Sequence, residues 1–130
     1  MNLTTSLREI LVRDLACAAL QGDRVYPMRM EAATEFPCST ISRITGERIQ
    51  QHAHPPTLHM RRFQVDAWSP DQDEAERLAA AIGAALDRFA GVAAGAQIQQ
   101  IVVLDDPPDM YDAETQLFHT PVEALVAVTV

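Results

Sequence analysis

The chain of 130 residues contains no lysine: its ten basic side chains are all arginines, set against eighteen acids, for a formal charge of -8. So acidic a domain lacks the positive footprint with which proteins grip a nucleic-acid backbone by bulk attraction. Cysteine is scarce. Cys17 and Cys38 are the only two, too few for a disulfide scaffold and expected of a chain that folds in a reducing, intracellular setting. Five glycines supply no phosphate-cradling glycine loop. Long apolar runs are missing as well: the longest uncharged ones, 79–86 and 124–130, fall far short of the about 20 residues of a membrane span. Arg8, Glu9, Arg13 and Asp14 interrupt the N-terminal region, which therefore does not read as a signal peptide. What is present is 48% hydrophobic and 22% charged, the mixture of a folded chain with one continuous core.

Ser6-Leu7-Arg8-Glu9 has the form of a capping box, and Leu7, Ile10, Leu11, Leu15 and Ala18 follow at helical spacing. With Gly22 at the C-terminal position, this predicts one helix over about 6–20. Arg24 to Pro27 forms a short extended segment ended by its proline. Pro37 opens a second strand over 38–44, and 46–58, rich in Gln, His and Pro, carries no period and is predicted as a long loop. Phe63, Val65 and Ala67 alternate with polar residues in a half-buried strand. Ser69-Pro70-Asp71-Gln72 is a second capping box, leading into a helix over about 70–90 with the stripe Ala75, Leu78, Ala79, Ile82, Leu86 and Phe89. Gly91 and Gly95 bracket a turn, 98–104 is a strand, and 105–112, with Pro107-Pro108, is a turn. In the closing strand, 117–130, Val122, Ala124, Val126, Val128 and Val130 share one face and Leu125 and Ala127 the other, so it is expected to be covered on both sides. The predicted fold is a single α+β domain over 1–130: a mostly antiparallel sheet packed with two helices, in the order α-β-β-β-α-β-β.

No constellation nominates an active site. His52, His54 and His59 with Cys38 lack the paired-cysteine spacing of a zinc site. The acids Asp105, Asp106, Asp109, Asp112 and Glu114 could in principle hold a hard cation, but they lack the alternation and the glycine of a calcium loop. Cys17 reads as a small buried hydrophobe, and Ser39 and Ser42 have no glycine-framed elbow. The sequence therefore predicts no catalytic residue, no metal ligand and no cofactor. Charge is uneven along the chain. Residues 1–62 hold eight arginines and six acids, a net of +2; residues 63–130 hold two arginines and twelve acids, a net of -10. A surface polarised in this way suits head-to-tail association.

Taken together, Gly22-Asp23-Arg24-Val25-Tyr26-Pro27, the proline-led strand from Pro37, and Val65-Asp66-Ala67-Trp68-Ser69 running into Asp73-Glu74-Ala75 resemble the small tail-completion or tail-terminator proteins of long-tailed bacteriophages. The motifs cover about 7–90, and the order of elements carries the likeness to 130. Cys38-Ser39-Thr40 stands where the family tends to larger apolar residues, and the segment around His52 is unusually rich in histidine and proline. The resemblance implies a non-enzymatic virion protein that forms a ring, commonly hexameric, at the head-proximal end of the tail. Its expected partners are further copies of itself, the tail tube and the head connector. Duplex DNA would pass through the ring without specific binding, and no membrane is involved.

On that reading Asp71, Asp73, Glu74, Glu76, Asp105, Asp106, Asp109 and Asp112 are candidates to face the channel or a neighbouring ring, where acids repel DNA. His52, His54, Pro55 and Pro56 in the long loop, with Trp68, Val126 and Val128, are candidate interface residues. Two other classes compete: a small metal-dependent hydrolase or nuclease built on the acids of 105–112, and a dimeric α+β binding module that pairs through the edge of the last strand.

Overall fold

A computed structural model describes residues 2–44, 58–104 and 108–129. The elements run α1 (Leu3–Arg13), α2 (Leu15–Gln21), β1 (Val25–Pro27), β2 (Cys38–Arg43), β3 (Leu58–Ser69), α3 (Gln72–Leu86), β4 (Gly91–Ala93), β5 (Ala96–Val103), β6 (Met110–Asp112) and β7 (Leu117–Thr129). The α+β class and the long elements agree with the sequence reading. The order differs by one extra helix and two short strands.

The predicted first helix is two helices. Asp14 adopts an extended conformation (φ -71°, ψ 126°), and its carboxylate accepts the Cys17 N–H at 3.0 Å. A short acidic side chain that bonds the backbone two or three residues ahead favours a cap over a helix interior, so Asp14 ends α1 and starts α2. The chain also enters α1 earlier than Ser6. Asn2 is the N-cap and accepts from the Thr5 N–H at 3.3 Å. Ser6 is buried inside the helix and donates to the Asn2 carbonyl at 3.4 Å, while Glu9 pairs with Arg13 at 2.7 Å. Gly22, at φ 59°, closes α2 where a glycine was expected.

The seven strands form one sheet in the order β1-β2-β3-β7-β5-β4, with β6 laid against the start of β7. Only β1 with β2 is parallel; the other pairs are antiparallel. β7 is central, pairing β3 along one side from Thr129 to Phe118 and β5 and then β6 along the other. Among the described residues, 124–129 of β7 are paired on both sides, so the edge that the dimeric module requires there is already taken. β4 was missed because its hairpin signal is weak: Ala94 (φ 46°) and Gly95 (φ 80°) form a two-residue turn with both φ positive, the primed geometry that asparagine-glycine usually announces. β6 begins at Met110, just past the prolines that argued for an unbroken turn.

All three helices lie on one face. Leu7, Leu11, Leu78, Ile82 and Leu86 meet Ile41, Phe63, Val65, Ile98, Ile101, Ala124 and Val126 there. Val126 and Val128 are fully sheltered in this core, so they are packing residues and not the interface anchors their strand composition suggested. Leu125 and Ala127, on the opposite face of β7, are half-buried and carry no helix over them. Among the described residues, coverage of that strand is one-sided.

Candidate assembly surface

The N-terminal end of α3 collects acids. Ser69 accepts the Asp71 N–H at 3.0 Å and donates to Glu74 Oε1 at 2.7 Å, so the helix starts two residues later than the second capping motif predicts, with Asp71 as N-cap and Gln72 as the first helical residue. Asp73 and Glu74 occupy the first turn, where the helix dipole favours negative charge. Pairing of β6 with β7 then brings Asp109 to the same corner. Gln72 Nε2 donates to Asp109 Oδ2 at 3.2 Å, and Thr120 Oγ1 donates to Asp109 Oδ1 at 2.9 Å. A hydrogen bond to Asp109 and the charge of Asp109 hold the Glu76 carboxyl above its ordinary range. The same hydrogen bond is the largest influence pulling Asp109 below its own. Of the predicted channel acids, Asp71, Asp73, Glu74, Glu76 and Asp109 therefore share one corner. Asp112 caps the β6–β7 turn instead, accepting the Glu114 N–H at 3.0 Å. Asp105 and Asp106 lie outside the described residues. Arg77 binds Asp73 and offsets one of the charges.

Beside this corner a groove of about 630 Å³ runs between α3 and the sheet. Its helix wall is made of small residues, Ala79, Ala80, Gly83 and Ala84, and its sheet wall of Val103, Leu104 and Val122. Glu76 and Asp109 stand at one end and Asp87 at the other. Thr120, Pro121 and Val122 of the groove's lining fall between the stretches of β7 that β5 and β6 pair, 124–129 and 117–119. Gly83 is the twelfth residue of a 15-residue helix, a position where glycine is less favourable than alanine by about 0.8–1 kcal/mol. Nothing lies within 4 Å of the point where its Cβ would stand. No packing among the described residues requires a glycine there.

The exposed apolar side chains lie elsewhere. Leu15 is 87% exposed, Met28 72%, Val92 63% and Tyr111 54%. Met28 is unusual in its backbone too. Its φ is 65°, and the Arg29 N–H bonds back to the Pro27 carbonyl at 2.7 Å. This is the i to i+2 bond of a γ-turn with positive φ at its centre, a rare and strained form. The Met28 N–H is anchored to the Ile41 carbonyl at 2.9 Å.

On the helix-free face a polar line crosses three strands. Trp68 Nε1 donates to Thr40 Oγ1 at 3.0 Å, the Trp68 ring stacks on His119 with centroids 4.3 Å apart, and His119 Nδ1 lies 3.3 Å from Asp66 Oδ1. Gln64 Nε2 donates to both Asp66 oxygens at 3.0 Å. Trp68 is thus tied into its own subunit by both ends of its indole. The sequence missed this line because Thr40, Trp68 and His119 are far apart in the chain and meet only through strand register.

Nucleophile chemistry finds little footing among the described residues. Burial drives the Cys17 thiol up to about 12 and the Cys38 thiol to about 11, so both are neutral at ordinary pH. Cys38 pairs with Trp68 at one end of β3 and His59 lies near the other, about 30 Å away at strand rise. They cannot share a metal. No group of three or more metal-ligating side chains is gathered among the described residues, and His52, His54, Pro55 and Pro56 lie outside them. No helix among the described residues is long and apolar enough to cross a membrane.

With this geometry in place, comparison with known proteins is decisive for the family. The family model described as "Tail completion protein gp17" matches residues 5–128. The chain belongs to that family. As a tail-completion protein it is a structural component of a bacteriophage tail and part of the virion. A chain from the structure titled "Virion of native gene transfer agent (GTA) particle" is similar to it with a TM-score of 0.77 and 15% identity, covering 98% of this chain and 95% of that one. At that identity the likeness is one of fold. No curated protein matches the sequence. The motifs behind the resemblance find their places in this tail-completion fold: Gly22 closes α2, Arg24 binds the Pro37 and Leu20 carbonyls, and Asp66 and Trp68 anchor the polar line of the open face.

Proposed function

We propose that this tail-completion protein caps the finished tail tube as a hexameric ring and joins it to the head connector, without catalysing a reaction. The observation that carries this reading is an open sheet with two unlike free edges. Among the described residues β1 has β2 as its one strand neighbour and β4 has β5, and each edge carries a solvent-facing apolar residue, Met28 beside β1 and Val92 within β4. Unlike edges meet head to tail, and a head-to-tail contact that closes makes a ring. Open edges that carry apolar side chains favour a partner over water.

The acids at the start of α3 supply the second part. Asp71, Asp73 and Glu74, with Asp112 on the β6–β7 turn, are the candidates to face the channel or an adjoining ring, where like charge keeps duplex DNA from sticking as it passes. The long segment 46–58, with His52, His54, Pro55 and Pro56, is the candidate to dock on the tube. Purified particles labelled on this chain are expected to show label at the head-proximal end of the tail. Label distributed along the tube, or confined to the distal tip, overturns the reading. Charge reversal of Asp71, Asp73 and Glu74 together is expected to leave tails that join heads but deliver DNA poorly; unchanged infectivity removes the channel role.

A further inference from the structure

The groove beside α3 and the corner at Met28 are complementary. The groove offers a small-residue wall with open space over Gly83 and, at one end, the carboxyl pair Glu76 and Asp109. The corner offers a large apolar side chain, 72% exposed and held outward by a strained γ-turn, immediately followed by Arg29, which is exposed and forms no ion pair among the described residues. We infer that the Met28–Arg29 corner of one copy seats in the α3 groove of the next, Met28 entering the hollow over Gly83 and Arg29 bonding the Glu76–Asp109 pair. This rests on the ring reading and names the contact that would build it.

Three features favour a second copy as the occupant. Charge matches: the groove's acids all come from the acidic stretch 63–130, and the corner from the stretch with a net of +2. An arginine would bring opposite charge and a planar pair of donors to two carboxyls gathered at one end of the groove. Shape matches as well. A methionine is unbranched and adaptable, suited to an irregular hollow, and a glycine wall admits it close to the helix backbone. Position matches last. The corner follows β1, at one end of the sheet, whereas the groove borders β7 and β5. Three strand spacings separate β1 from β7, about 14 Å, so one copy cannot satisfy itself and the contact repeats from copy to copy. Two features without a packing partner among the described residues, a helix glycine with open space over it and a strained, exposed methionine, then account for each other.

The test mixes two single variants of the full chain, Met28→Cys and Gly83→Cys, at high protein concentration under mild oxidant. Cys17 and Cys38 are buried and stay out of the exchange. A disulfide-linked dimer from the mixture, and a ladder of multimers from the double variant, are expected; Arg62→Cys on the helix-free face, mixed with Gly83→Cys, is the control that should not link. Arg29→Glu is expected to weaken self-association by tenfold or more, and Glu76→Arg in the same chain to restore it. Wild-type protein provides a second measurement free of folding defects: on assembly, amide exchange should slow at 28–30 and 79–84. Rings seen by electron microscopy without the Met28–Gly83 link, and without slowed exchange at those two segments, overturn this contact while leaving the ring standing. Protein that stays monomeric, unlinked and unprotected at every concentration overturns both. Linking between Met28→Cys copies alone points to a two-fold dimer and also overturns the proposal.

Discussion

The two faces of the sheet are held together by different chemistry. On the helix-covered face, Phe63, Val65, Ile98, Ile101, Ala124 and Val126 are all but fully buried beneath Leu78, Ile82 and Leu86. On the other face the described residues place no helix, and shelter comes from side chains lying on their own sheet: Trp68 stacked on His119, Asp66 held by Gln64 and His119. The first face is a core that any sequence of similar volume and pattern could supply. The second depends on named polar partners in one register, so it is cheaper to disturb but more specific in what it demands.

That contrast predicts an order of mutational cost. Phe63→Ala removes the largest fully buried side chain and is expected to lower stability by about 3–5 kcal/mol in chemical denaturation. The matching truncation on the open face, Met60→Ala, is expected to cost a small fraction of that; equal costs would break the comparison. Asp66→Ala comes next. Asp66 is 7% exposed, and its loss strands the Gln64 amide and removes the His119 contact, at a cost of about 1–3 kcal/mol. Trp68 fluorescence should change in the same variant, since the stacked His119 loses its anchor. Asp14→Ala follows at about 1 kcal/mol, read as loss of helicity and lower melting temperature. High pH sharpens the picture from the covered side. Both thiols have folded-state values, about 12 and about 11, above their ordinary 9.0, so the stabilisation they carry is whole below pH 9.0 and is lost as pH climbs through the folded values. Alkylation at pH 8 should leave Cys17 and Cys38 untouched until the protein is unfolded.

How much of this was legible in the sequence divides along the same line. Periodicity revealed α3 and the alternation of β3, because an apolar stripe is a local property. It placed Val126 and Val128 on one face of β7 correctly, but could not say that the helices lie over that face and none over the other. Nor could it show that β7 is central, since strand neighbours are chosen by the whole sheet. The break at Asp14 was hidden inside an uninterrupted apolar spacing, although the residue type was a signal. β4 and β6 are three residues each, below what alternation can register. The acidic corner was visible as composition; the bond that assembles it, Gln72 to Asp109, spans 37 residues and belongs to the fold. The family motifs succeeded where periodicity did not, since they mark the end of α2, the Arg24 bonds and the polar line.

Gly83 carries the smallest expected effect and discriminates most sharply between a groove that is merely vacant and one that receives a neighbour. Its helical position and the open space over it mean that Gly83→Ala should raise stability by about 0.5–1 kcal/mol, through helix propensity and a narrower unfolded ensemble. If the groove served nothing, larger apolar residues there would be tolerated too, and assembly would not notice any of them. If a methionine seats against that wall, the stabilising alanine takes up room the neighbour needs, and Gly83→Leu fills it. Stability and assembly should then move in opposite directions along the series Gly, Ala, Leu: melting temperature at or above the wild-type value, ring formation falling step by step. A parallel rise or a flat assembly response would return Gly83 to the ordinary category of a helix residue that selection has not optimised. Opposed responses would identify it as a position where fold stability is given up for contact with the next subunit.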